Sequence, residues 1–358
     1  FSYSDVPHET VMHAASRALS AGADVGLIGP RGIMVESSKP VIAVCAVRTG
    51  CGKSQTPRAG AAALAKQGLT PVVVRHPMPY GDLVAQRVQR FGDHEDLARH
   101  HTTIEEREEY EPHIEAGRVV YAGVDYEAIL REAEQEADVI LWDGGNNDLP
   151  FFLPDLYIVV ADPLRPGHEQ RFHPGETNLR MADVVVINKI DSASEDDLDA
   201  VIEAVETMNP EAEILTARSD LFLDGPSIEG KRVVVVEDGP TLTHGGMTYG
   251  AGVVAARRFG AAELVDPRPV AIGSIHEVLE RYPNLEPLLP AMGYGERQMA
   301  ELRATLEAVD ADVVLAATPI DLGRLLQLDK PVTRVRYELA QVDGKPLGEI
   351  VAEALEAE

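Results

Sequence analysis

Short, unbroken apolar runs alternate with segments of helical spacing along most of this chain. KPVIAVCAV (39–47) carries no polar alternation, as a strand buried on both faces requires. The same pattern recurs in DVILWDGG (138–145), DLYIVVADP (155–163) and MADVVVINKID (181–191), and more briefly in TPVVVRHP (70–77) and AEILTA (212–217). Between these runs, AGAAALAKQG (59–68), YEAILREAEQEA (126–137) and EDDLDAVIEAVETMN (195–209) have the spacing of amphipathic helices. Strands alternating with helices predict an α/β fold with three layers and a mainly parallel sheet over 38–225. A further α/β region is expected over 226–358, with strands in KRVVVVEDGP, ADVVLAATP and KPVTRVRYEL and helices near 251–259 and 296–308.

Ahead of these, residues 1–37 read as a helix with Val11, Ala14, Ala15 and Leu19 on one face, then a strand VGLIGP closed by a Gly-Pro turn. The polar stretch 80–117 contains Thr103-Ile104-Glu105-Glu106, a capping box that should open a short helix. The EEREEYE run within it is expected to be a solvated helix face.

Composition narrows the function. No apolar run approaches the ~20 residues of a membrane span, so no membrane partner is expected. A net charge of −27 argues against a nucleic-acid partner, because the surface would repel phosphates. Two cysteines, Cys45 and Cys51, make no disulfide framework, and a reducing, cytoplasmic setting fits them. An anionic substrate would have to be met by local clusters of Arg and His.

The stretch AVRTGCGKSQTPR (46–58) follows a buried strand and opens a helix, the setting in which backbone N–H groups converge on phosphate. Thr49, Gly50, Cys51, Gly52, Lys53, Ser54 and Gln55 form the candidate nucleotide cradle. Lys53 supplies charge to the terminal phosphates and Ser54 a hydroxyl for Mg²⁺. A standard G-x-x-x-x-G-K-[ST] loop would need glycine where Val47 stands. Counting five residues back from Lys53 instead reaches Arg48, so the stretch resembles the deviant loop of the SIMIBI class of P-loop NTPases, with Arg48 in the signature-cation place. That resemblance implies a homodimer in which the cation stabilises a transferring phosphoryl group, a task suited to a guanidinium. Asp143 ends a buried strand where a carboxylate for Mg²⁺ belongs. Asn188-Lys189-Ile190-Asp191 ends another and has the N-K-x-D pattern of guanine recognition, which leaves ATP and GTP both open as donors.

Loops after two of the strands gather cations: Arg75, His76, Arg87 and Arg90 in one, and Arg165, His168 and Arg171, with His173 and Arg180, in the other. Loops at strand C-termini line the ligand crevice of parallel sheets, so these residues are candidates for an anion site. EDGPTLTHGGMTYGAG (237–252), with Thr243, His244, Gly245 and Gly246, is a further candidate or a plain glycine-rich turn.

AVRTGCGKSQT, VVRHPMPYGDL, TIEEREEYEPHI, YAGVDYEAIL, WDGGNND, HPGETNLRMADVVVINKID, VEDGPTLTHGGMTYGAG and PAMGYG together resemble the cyclic 2,3-diphosphoglycerate synthetase family, from about residue 1 to 338. The resemblance implies a Rossmann-like N-terminal domain, of which 1–37 would be the last part, with upstream chain expected before Phe1. It implies ATP-dependent closure of 2,3-diphosphoglycerate into a cyclic phosphoanhydride, releasing ADP and phosphate. Lys53, Arg48 and Asp143 would then be catalytic, Ser54 and Asp143 would hold Mg²⁺, and Arg75, His76, Arg87, Arg90, Arg165, His168 and Arg171 would neutralise the substrate phosphates. Two other readings stay open: a SIMIBI-type GTPase acting as a regulatory switch or metallochaperone, and a dinucleotide-binding scaffold without catalysis.

Overall fold

The computed structural model describes every residue except 1–4, 77, 79–80, 146–147, 244–245, 292–294 and 357–358. Two compact units divide the chain: Phe1–Asp93, Ala116–Ser219 and Leu339–Glu358 form the first, His94–Glu115 and Asp220–Glu338 the second. This division differs from the expected 1–37, 38–225 and 226–358. Residues 1–37 group with the first unit, the later boundary falls at 219/220, and residues 94–115 leave the nucleotide-binding half altogether.

The first unit holds β1 (Val6–Pro7), β2 (Val41–Ala46), β3 (Pro71–Arg75), β4 (Gln89–Phe91), β5 (Val120–Ala122), β6 (Val139–Asp143), β7 (Leu156–Ala161), β8 (Phe172–His173), β9 (Val184–Ile187) and the first part of β10 (Glu213–Asp224). Its sheet runs β10-β9-β7-β2-β6-β3-β5-β4. Neighbours are parallel except the edge pair β4–β5. Every residue of β2, β3, β6, β7 and β9 is buried, which is why these strands read as unbroken apolar runs. β1 pairs antiparallel with β8.

The expected strand VGLIGP does not form. Val25, Leu27 and Ile28 are 45%, 63% and 76% exposed, and the run pairs with no strand among the described residues. An apolar run becomes a strand only where a neighbour takes up its backbone groups.

The second unit contains β11 (Arg232–Asp238), β12 (Glu263–Leu264), β13 (Leu289–Ala291), β14 (Val313–Ala317) and the first part of β15 (Val332–Asp343). All pairings are parallel, in the order β12-β11-β14-β15, with β13 on β11 beyond β12. Its core packs Val233–Val236 and Val313–Ala317 against the helices Ala251–Arg258, Gly273–Arg281 and Glu296–Ala308.

The expected capping box is present. Glu106 donates its N–H to Thr103 Oγ1 at 3.2 Å, and Thr103 donates its own to Glu106 Oε2 at 2.7 Å. The helix it opens, Ile104–Glu115, is not a solvated acidic face, because Glu106, Glu108 and Glu111 are buried. Burial pushes the Glu108 carboxyl well above its ordinary range, and Asp238 nearby adds to the effect.

Candidate functional site: a phosphate cradle at the C-terminal edge of the first sheet

β2 ends at Ala46, Val47 is buried behind it, and the loop 48–54 carries the chain into the helix Gln55–Lys66. The turn depends on two glycines with positive φ, Gly50 (+87°) and Gly52 (+81°). A Cβ on Gly52 would come within 2.5 Å of Asn188 Nδ2. Val47 therefore closes the buried run that continues from β2, and the deviant loop begins with Arg48.

β2 lies between β7 and β6, and β6 lies between β2 and β3, so three strand ends converge. Val44 and Arg75 both stand in register with Asp143. Lys53 Nζ donates to Asp143 Oδ1. Arg75 reaches the same oxygen at 2.8 Å and also donates to the carbonyls of Asp143 and Gly144 at 2.7 and 3.2 Å. All three side chains are at most 4% exposed. One carboxylate is thus matched by two cations, the arrangement a buried charge needs.

On the other side, β9 delivers Asn188 and Lys189 to the back of the loop. Asn188 Nδ2 donates to the Cys51 carbonyl at 3.3 Å, and Lys189 Nζ donates to the Gly50 carbonyl. Asp191 stays exposed. Burial alone would raise the Asp162 carboxyl, but Lys189 and Arg165 beside it hold it below its usual range. Gln55 donates to Ser219 Oγ at 2.7 Å, and Ser54 is half-buried at the helix entrance.

Arg48 is engaged within its own chain. It donates Nε–H to Asp5 at 2.9 Å and an NH1 hydrogen to His168 Nδ1 at 2.7 Å, and its guanidinium lies 3.6 Å from the Phe172 ring centroid. Asp5 also accepts the Thr49 N–H at 2.8 Å. Arg165 donates to the Thr49 carbonyl at 2.8 Å and to Asp162 at 2.7 Å. Burial, then Arg48 and Arg165, lower His168 to a pKa of about 4, so its imidazole is neutral and can accept from Arg48.

The seven expected anion-site residues do not form one cluster. Arg165 and His168 meet at the loop, and Arg75 sits beneath it on Asp143. His76 bonds Asp148 through Nδ1 at 3.1 Å, and Arg171 is exposed. Arg87 and Arg90 pair with Asp125 and Glu136 on the surface, at 2.9 and 2.7 Å, and Arg90 belongs to β4, at the sheet edge. Their charge is spent on local partners.

In the second unit, Glu237 accepts from the Gly250 and Val253 N–H groups at 3.1 and 2.9 Å. A Cβ on Gly250 would lie 2.6 Å from Glu237 Oε2, so this glycine answers a packing demand. His244, Gly245 and part of PAMGYG (292–294) lie outside the described residues. Asp5, Asp148, Asp162 and Phe172 were not expected at the site, although Asp148 lies in WDGGNND and Asp162 at the end of the apolar run DLYIVVADP.

Comparison with known proteins bears on the fold and the family. The profile described as CobW/HypB/UreG, nucleotide-binding domain, matches residues 132–216. LpxK from Aquifex aeolicus, crystallised with ATP, superposes with a TM-score of 0.50 at 13% identity over 97% of this chain and 96% of that one, which speaks for the fold. The cyclic 2,3-diphosphoglycerate synthetase of Thermococcus sibiricus is 26% identical over 219 residues, 61% of this chain and 44% of that protein. Arginine synthetase ArcE of Thermococcus kodakarensis is 62% identical over 354 residues, 99% of this chain and 79% of that protein. The chain is an ATP- or GTP-binding, synthetase-type enzyme of the SIMIBI class of P-loop NTPases. Within that class it belongs to the family of arginine synthetase ArcE.

Proposed function

We propose that this protein is an ATP-dependent synthetase that completes the guanidino group of arginine. The observation that carries the reading is the 62% identity to arginine synthetase ArcE over 99% of the chain, with the Lys53–Asp143–Arg75 constellation in place. A guanidino carbon differs from a ureido carbon by one nitrogen in place of oxygen, and citrulline is the ureido acid with arginine's skeleton. Oxygen in a urea is a poor leaving group. Transfer of the terminal phosphoryl group to that oxygen makes it a good one; ammonia then adds to the carbon, the C–O bond breaks, and phosphate departs. The balance is citrulline, ammonia and ATP giving arginine, ADP and phosphate.

The loop N–H groups and Lys53 would hold the phosphates, with Arg48 and Arg165 beside them to meet developing charge. Mg²⁺ prefers one or two protein oxygens together with phosphate, and the buried Asp143 carboxylate and the Ser54 hydroxyl supply such donors. When bound, it would neutralise phosphate charge. Lys53 and Arg75 orient Asp143. A homodimer and a cytoplasmic setting remain part of this proposal, resting on the position of Arg48 in the loop and on the two free thiols.

A second reading, closure of 2,3-diphosphoglycerate to a cyclic phosphoanhydride, is supported by the Arg48–Arg165 pair and the 26% identity to a synthetase of that name.

The test incubates the protein with Mg-ATP or Mg-GTP and ammonium, adding citrulline or 2,3-diphosphoglycerate, and follows nucleotide diphosphate, arginine and the phosphorus spectrum. Citrulline-dependent arginine formation supports the first reading. A cyclic anhydride without arginine overturns it in favour of the second, and hydrolysis indifferent to both acceptors overturns both. GTP turning over faster than ATP would assign Asp191 to base recognition.

A further inference from the structure

The structure assigns a proton-transfer role to a pair that neither the loop motifs nor the comparisons single out, His76 and Asp148. The inference rests on the arginine-forming reading. His76 directly follows Arg75 at the C-terminal end of β3, and Asp148 follows β6 five residues after Asp143. His76 Nδ1 lies 3.1 Å from Asp148 Oδ2, with 14% and 16% of the two side chains exposed. A carboxylate can only accept, so Nδ1 carries the hydrogen and Nε2 presents its lone pair.

The position of Asp148 is built. Buried Asn178 donates through Nδ2 to the Asp148 carbonyl at 3.0 Å and accepts from the Tyr157 hydroxyl at 2.6 Å, tying this loop to the neighbouring strand β7. Among the described residues, Asp148 Oδ1 is buried without a hydrogen-bond partner, and it faces Gly144, where a Cβ would lie 3.1 Å from it. Gly144 directly follows the Asp143 that meets Lys53 and Arg75. Tyr126 donates to the Arg75 carbonyl at 2.9 Å and fixes the backbone just before His76. The Asp148 carboxylate thus orients the His76 ring.

We propose that His76 Nε2 accepts the proton released when ammonia adds to the phosphorylated ureido carbon, and that Asp148 positions it. Ammonia's nitrogen lone pair forms the new C–N bond, and the adduct nitrogen carries one proton too many. His76 takes that proton. The C–O bond breaks with its electron pair on the phosphate oxygen, and the imidazolium returns the proton to the departing phosphate. No oxidant or other reactant is required.

The test separates phosphoryl transfer from amine capture in the full-length protein. Positional isotope exchange in labelled ATP, with citrulline and without ammonia, reads the first step; arginine formation reads the second. For His76→Gln we expect arginine formation to fall by about 10²–10⁴-fold, the usual worth of general-base catalysis, while exchange falls less than about tenfold. Asp148→Asn should show the same split, with KM for citrulline unchanged, and Asp148→Glu should recover part of the loss. Equal losses in both reactions would mean a structural or phosphoryl-transfer role and overturn the proposal. So would variants that still make arginine at the wild-type rate. If the wild type exchanges label but forms no arginine, the reading of the reaction itself is wrong, a result distinct from either of these.

Discussion

Both units place a buried carboxyl at the C-terminal end of a parallel strand, Asp143 and Glu237, the latter beside half-buried Asp238, yet they treat them oppositely. In the first, Asp143 ends β6 against Lys53 and Arg75 and is held as a charged hub. In the second, Glu237 and Asp238 end β11 with no such pair of cations among the interactions described for them. Burial, only partly offset by backbone donors, lifts Glu237 to about 7; burial, aided by Glu109 and Glu105, lifts Asp238 to about 6. Where cations answer the carboxylate, the strand end carries the candidate nucleotide site. Where they do not, it becomes a proton-binding packing group.

Removing the hub should have the largest effect. Asp143→Ala removes the carboxylate that buried Lys53 and Arg75 share, and we expect a loss of about 3–5 kcal/mol in urea unfolding together with loss of turnover. A loss below 1 kcal/mol would end the contrast between the units. Next comes pH. A carboxyl whose folded pKa is raised binds its proton more tightly when folded. The contribution of Glu237 and Asp238 is therefore fully present below the ordinary carboxylate range and fades as pH rises through about 6 and 7. Glu237→Gln should flatten that decline by on the order of 1–3 kcal/mol between pH 5 and 8, measured by unfolding at fixed ionic strength. An unchanged slope would contradict the assignment.

Thr103→Ala should cost about 1 kcal/mol through loss of the capping box, with nucleotide binding untouched. Smallest of all, Arg87→Ala and Arg90→Ala remove exposed ion pairs and should change stability by no more than about 1 kcal/mol and leave turnover unaltered. A marked loss of turnover in either would return these two residues to the substrate site.

What the sequence made legible follows the same division. Buried parallel strands announce themselves as apolar runs, and each feature of the cradle lies within a few residues of such a run: Arg48 and Lys53 after β2, Asp143 at the end of β6, Asn188 after β9. Contacts closing over long separations left no local trace. Asp5 meets Arg48 across 43 residues and His76 meets Asp148 across 72. Counting cations after strands predicted one anion site, but a charge is available only if its neighbours leave it so, and Asp125 and Glu136 had already taken Arg87 and Arg90. The acidic EEREEYE run misled in the opposite sense. Its composition matches a solvated helix, yet the helix turns Glu106, Glu108 and Glu111 inward.

The central claim is that a ureido oxygen accepts the phosphoryl group and leaves with it. Citrulline labelled with ¹⁸O in the ureido group, turned over with Mg-ATP and ammonium, tests this directly by mass spectrometry of the released phosphate. The account predicts one ¹⁸O per phosphate, in step with arginine formed. Unlabelled phosphate released with the nucleotide diphosphate would contradict it.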